Sequence, residues 1–180
     1  LLFFPLVTGL YFLLPKNWRW LLLLLASCWF YMAFVPLFIL ILAFTIGVDF
    51  VAGIAIARSE GPRRKAYLVA SIIANVGVLA VFKYWDFLNG NLTALFAGMG
   101  LEYHVPKLHE WTFFGFLPAG MVLPIGLSFH TFQSLSYTIE VYRKHQQAER
   151  RFGVFALYVM FYPQLVAGPI ERPGNLLNQL

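Results

Sequence analysis

The chain has 180 residues, of which 60% are hydrophobic and 12% charged, and its mean hydropathy is +0.71. A soluble domain of this size carries about twice that charged fraction, so the composition indicates a membrane protein and excludes an ordinary soluble enzyme. The formal charge of +5 is small and clustered, a pattern that marks cytoplasmic loops and not a nucleic-acid surface, and the single cysteine, Cys28, excludes an internal disulfide.

Residues 1–14 form an apolar run ended by Pro15. It is short against the roughly 20 residues of a bilayer span. With no initiator Met and no terminating signal at Leu180, the chain reads as the N-terminal part of a larger protein. Lys16 and Arg19 make a basic turn. Residues 20–35 form a second run, with Trp18, Trp20, Trp29 and Tyr31 near its ends, where interfacial aromatics gather. Residues 37–57 form a third, interrupted only by Asp49. An acid there is either a functional group or the partner of a basic group on a neighbouring helix.

A basic loop follows at 58–65, with Arg58, Arg63, Arg64 and Lys65 against Glu60. A fourth run, 66–82, is closed by Lys83-Tyr84-Trp85-Asp86. Residues 87–118 mix Gly, Asn, Pro and aromatics with Glu102, Lys107 and Glu110. They read as an external loop region with a short interfacial helix near 87–96.

The stretch Leu123-Pro-Ile-Gly-Leu-Ser-Phe-His-Thr-Phe-Gln-Ser-Leu-Ser-Tyr-Thr-Ile-Glu-Val-Tyr-Arg143 is long enough to cross a bilayer but too polar to face lipid all round. On a helical wheel Phe132, Leu135 and Ile139 form one stripe, fit for lipid or packing. His130, Ser134 and Tyr137 form another, with Gln133 and Glu140 on a third line. The polar lines either border a wet tunnel or serve interhelical hydrogen bonding. The tunnel candidates are Ser128, Gln133, Ser134, Tyr137 and Glu140. An imidazole ordinarily titrates near neutrality, which makes His130 a candidate base, but no orienting carboxylate stands at suitable spacing. His104 and His109 lack a third ligand, so no metal site is expected.

A third basic loop spans 143–151, with Arg143, Lys144, Arg150 and Arg151 against Glu149. After it, residues 152–166 are apolar, but Pro163 lies inside the run and Gly168-Pro169 beyond it. These breakers predict a kinked or re-entrant piece, which adds Pro163, Gln164 and Arg172 to the tunnel candidates. The expected architecture is all-α: a polytopic helical membrane protein with about five spanning helices plus a re-entrant or kinked segment. Residues 1–180 form one part of a single membrane-embedded domain. The positive-inside rule puts all three basic turns on the cytoplasmic side.

The polar stretch 123–143 resembles the signature helix of the membrane-bound O-acyltransferase family, in particular its bacterial alginate O-acetyltransferase branch. Phe161-Tyr-Pro-Gln-Leu-Val-Ala-Gly-Pro-Ile-Glu-Arg172 resembles the next family motif and Val81-Phe-Lys-Tyr-Trp85 an earlier one. Asp49-Phe50 falls where the branch often has an acid-aromatic pair, and His130 stands where it often has Tyr.

The resemblance implies acyl transfer across a bacterial inner membrane. The donor would be acetyl-CoA or a similar molecule arriving from the cytoplasm as substrate, with no bound cofactor. The acceptor would be a polysaccharide hydroxyl outside, reached through periplasmic acetylation proteins. The family's catalytic His is expected beyond Leu180, so this stretch is expected to supply tunnel wall and to be inactive alone. The alternative reading is a transporter or channel whose polar helix lines the path; a third is a noncatalytic membrane scaffold.

Overall fold

The computed structural model describes residues 2–33, 38–101, 126–167 and 173–179. In chain order these form α1 (Phe3–Leu13), α2 (Lys16–Met32), α3 (Phe38–Arg58), α4 (Gly61–Gly98), α5 (Leu127–Tyr142), α6 (Phe152–Met160), α7 (Tyr162–Ala167), α8 (Pro173–Leu176) and a 3-10 turn, Leu177–Gln179. Among the described residues there is no strand. The protein is a helical membrane protein in which α3, α4 and α5 pack mutually and α2 lies against α6.

Among the described residues two stretches, Ile39–Arg58 and Gly61–Trp85, are long and apolar enough to cross a bilayer by themselves. In α3 the sequence sorts cleanly by helical period. Leu42, Ile46, Asp49, Ala52 and Ile56 are buried, while Leu40, Phe44 and Val51 are exposed. The apolar exposed face is what lipid contact requires, and the inward stripe recurs every three to four residues. In α5 the expected apolar stripe is also present: Phe132 is exposed, with Leu135 and Ile139 half-buried, while the polar lines turn inward.

The fourth run does not stop at Phe82. It continues as one helix of 38 residues to Gly98, taking in the stretch 87–96 expected as a separate short interfacial helix. The reason is local. Asn91 Nδ2 donates to Phe87 O at 2.9 Å and Thr93 Oγ1 to Asn89 O at 2.8 Å, so these side chains bond back along the helix and do not break it. The rest of the expected loop region, 102–118, lies outside the described residues.

The opposite happens at α6. It has only nine residues, about 13 Å of rise, less than half of a bilayer's hydrocarbon thickness of about 30 Å. The chain breaks at Phe161, whose ψ of 108° leaves the helical region, and restarts as α7 with Pro163 in its first turn, where a missing amide costs nothing. By α8 the chain is back beside the third basic loop: a Cβ on Gly174 would lie 3.7 Å from Gln146 Oε1. This is the re-entrant piece the breakers predict. Gly168, Pro169 and Arg172 lie outside the described residues.

All three basic turns meet at one end of the bundle. Arg64 Nη2 donates to Val141 O at 2.8 Å and Tyr142 O at 2.7 Å, placing the 58–65 loop on the end of α5. A Cβ on Gly153 would fall 2.5 Å from Trp20 Cζ3, so the start of α2 stands beside the start of α6.

Candidate functional site: a buried polar axis and a basic cavity

The polar residues of α5 are engaged on two sides. On the first, Ser134 Oγ donates to Asp49 Oδ2 in a short hydrogen bond. Asp49 Oδ1 accepts from Ser71 Oγ at 2.5 Å and Asn75 Nδ2 at 2.8 Å. All four side chains are buried. One carboxyl therefore ties α3, α4 and α5 together near the middle of α3, where sequence reading left its partner open. The partners are hydroxyl and amide donors, not a basic residue.

On the second side, α5 faces α6 and α7. Gln133 Nε2 donates to Tyr158 O at 2.7 Å and to Gln164 Oε1 at 3.0 Å. His130 Nδ1 lies 2.7 Å from Val159 O. These carbonyls belong to the last turn of α6, where a helix has no amides of its own to offer. Capping by α5 side chains is what permits α6 to end inside the apolar layer.

Tyr137 is fully buried, its ring packed on Gly53 and Phe155 and its hydroxyl accepting from the Glu149 amide at 2.9 Å. Glu140 sits at the end of α5, its carboxylate 3.1 Å from His145 Nδ1. Ser128 is half-buried near the start of α5, and Pro163 is exposed. The structure thus brings Gln133 and Gln164 together, sets Ser134 on Asp49, and leaves Glu140 apart near the basic end.

That end holds a cavity of about 870 Å³, lined by Arg58, Arg64, Lys144, Arg150 and Arg151 together with Gln146 and Glu149. Glu149 is already engaged: its Oε1 accepts from the amides of Arg150 at 3.0 Å and Arg151 at 2.8 Å, with Arg151 Nε 3.5 Å away. Arg64 also lies over the Tyr142 ring, 5.4 Å from its centroid. Lys144 is held at φ 63°, with its amide on Val141 O and the His145 amide on Glu140 O. This is a Schellman ending with lysine where glycine is usual. None of the α5 tunnel candidates lines this cavity. Sequence reading marked these basic residues only as topology signals; that they converge was hidden because the two loops are about 80 residues apart.

The comparisons agree with the motifs. The protein named "Probable alginate O-acetylase AlgI" of Azotobacter vinelandii is 35% identical over 99% of this chain and 34% of its own length. The chain is similar to proteins named as alginate O-acetylases along nearly all of its length. The protein of the same name in Pseudomonas aeruginosa is 33% identical over 99% of the chain and 32% of its own length. A "Peptidoglycan O-acetyltransferase" of Helicobacter pylori is 27% identical over 93% of the chain and 33% of its own length. The kinship with membrane-bound O-acyltransferases read from the motifs is borne out along essentially the whole chain. The chain spans about a third of the length of these curated relatives. No family model matches it, and no solved structure does.

Proposed function

We propose that the whole protein is an inner-membrane O-acyltransferase that moves an acetyl group from a cytoplasmic donor to a hydroxyl of an extracytoplasmic polysaccharide. The observation that carries this reading is the match of nearly all of the chain to proteins named for O-acetylation of polysaccharides. In this reading the end that gathers the three basic turns is cytoplasmic. The basic cavity there is the donor entrance: Arg58, Arg64, Lys144, Arg150 and Arg151 supply positive charge and fork-shaped donors suited to a phosphate-bearing molecule such as acetyl-CoA.

In the transfer, the acceptor oxygen attacks the acetyl carbonyl, the C–S bond of the donor breaks, and the proton of the hydroxyl leaves with a base as the thiol departs. The base is the family's His, which the resemblance places beyond Leu180. This chain's part is to hold the donor and to keep α5 and the re-entrant α6–α7 piece in register. The acceptor is met with the help of periplasmic acetylation proteins, Arg172 is a further donor contact, and Pro163 and Gln164 border the path beyond the α6 break.

Deleting the gene and measuring O-acetyl groups on purified exopolysaccharide by proton NMR tests this. Loss of acetyl, restored by the wild-type gene, is expected. An unchanged acetyl content would refute the activity. Charge-neutral variants at Arg150 and Arg151 are expected to raise the KM for donor with kcat preserved.

A further inference from the structure

Capping α6 uses up the donor sides of two α5 residues and leaves their acceptor sides open. His130 Nδ1 faces the Val159 carbonyl, which can only accept, so Nδ1 carries the hydrogen. A second hydrogen on Nε2 would leave an unpaired charge in a site that is 2% exposed. Nε2 is therefore a bare acceptor, and it is buried without a partner among the described residues. Gln133 places both N–H bonds, on Tyr158 O and Gln164 Oε1, and among the described residues its own Oε1 is buried without a partner. His130 and Gln133 are three residues apart on one helix, hence neighbours on its surface.

A third group completes the patch. The Tyr31 ring meets the His130 ring edge-on at 5.7 Å, and the Tyr31 hydroxyl is likewise buried without a partner among the described residues. Two acceptors and one hydroxyl, contributed by α2 and α5 beside the broken end of α6, form a polar patch in which none of the three has a hydrogen-bond partner among the described residues. Buried polar atoms are very seldom left in that state; they meet water or a ligand.

We propose that this patch is a binding site for O–H donors: hydroxyls that hydrogen-bond to His130 Nε2 and Gln133 Oε1, with Tyr31 as a third contact. The donor chemistry is set by the lining, since an anion or a second acceptor would face two lone pairs. The hydroxyls come from ordered water or from carbohydrate. The carbohydrate source rests on the acyl-transfer reading; the hydroxyl site does not.

The test uses the full-length protein in lipid nanodiscs, with 15N-labelled histidine, under magic-angle-spinning NMR. His130 is assigned by difference from His130→Gln. If that variant fails to fold, Tyr31→Phe serves, since it shifts the signal of the neighbouring imidazole alone. The expected result is an unprotonated Nε2 that receives polarisation from a nearby O–H. Transfer from water that persists when a uronic-acid oligosaccharide is added supports the site with water as occupant. Replacement of that transfer by contacts to sugar protons supports it with carbohydrate as occupant. A protonated Nε2, or one with no exchangeable proton near it under either condition, overturns the proposal. Loss of the acyl-transfer reading through an unchanged polysaccharide would leave this measurement standing.

Discussion

Ser134 stands at the point where two uses of a polar helix part company. It is a tunnel candidate by sequence, and it donates to Asp49 in the structure. Ser134→Ala removes one of the three donors the carboxyl accepts, at a site where Asp49 is 0% and Ser134 2% exposed. Leaving a buried polar group without its partner costs about 1–3 kcal/mol, so a loss of about 2 kcal/mol is expected. Asp49→Leu removes the acceptor of all three donors. Its cost is expected near 3 kcal/mol, well short of three full losses, because the hydroxyls of Ser71 and Ser134 can turn to carbonyls of their own helices. Ser71 and Ser134 donate to the same Asp49 carboxyl, so the double variant is expected to show a coupling of at least about 0.5 kcal/mol. The measurement is equilibrium unfolding of the full-length protein in mixed micelles, with acyl transfer assayed on the same samples. If Ser134→Ala leaves stability within about 0.5 kcal/mol of wild type while turnover collapses, the latch is the wrong account and Ser134 acts on substrate.

Gly53→Ala would put a methyl 2.8 Å from Tyr137 Cε1; the ring is enclosed and held by the Glu149 amide, so thermal unfolding is expected to show a loss of about 1–3 kcal/mol. Gly47→Ala, with nothing within 4 Å, is the matched control and is expected to be neutral or stabilising by up to about 1 kcal/mol. Lys144→Gly relieves a left-handed φ of 63° and is expected to add about 1 kcal/mol of stability, while removing one cavity charge and weakening donor binding measured by calorimetry. For topology, single cysteines at Ser59 and Gly100 in a cysteine-free full-length background are probed on intact cells with an impermeant thiol reagent. Labelling at Gly100 and not at Ser59 is expected, and the reverse would overturn the orientation.

The legible parts of this molecule are those that repeat at helical spacing. The third run declared itself by length and apolarity, and the stripe of Phe132, Leu135 and Ile139 picked the outer face of α5 because lipid exposure acts on every turn alike. Pro163 announced the break near Phe161 through a local rule about amides. The partners were not legible. Asp49 is 85 residues from Ser134, and nothing in either neighbourhood encodes how α3 crosses α5. Gln133 and His130 were visible as polar residues, but their bonding to Tyr158 and Val159 depends on where α6 ends in space. The 38-residue α4 was read in two pieces, a run ending at Phe82 and a short helix near 87–96, because Lys83-Tyr84-Trp85-Asp86 interrupts the apolarity without interrupting the helix.

The Asp49 latch also sets an order of events during synthesis. The acid leaves the ribosome 22 residues before Ser71 and 85 before Ser134. An aspartate at a helix centre costs about 2.5–3.5 kcal/mol to insert, and Leu, Ile, Phe and Val each return about 0.3–0.6. The 12 such residues of Phe38–Arg58 are enough for the translocon to accept α3 with its carboxyl still unmatched. Pairing with α4 follows within one hairpin, while the Ser134 bond must wait for α5. Until then the hairpin is a half-assembled intermediate with one carboxyl oxygen open, the species on which a membrane quality-control protease would act when synthesis stalls between α4 and α5.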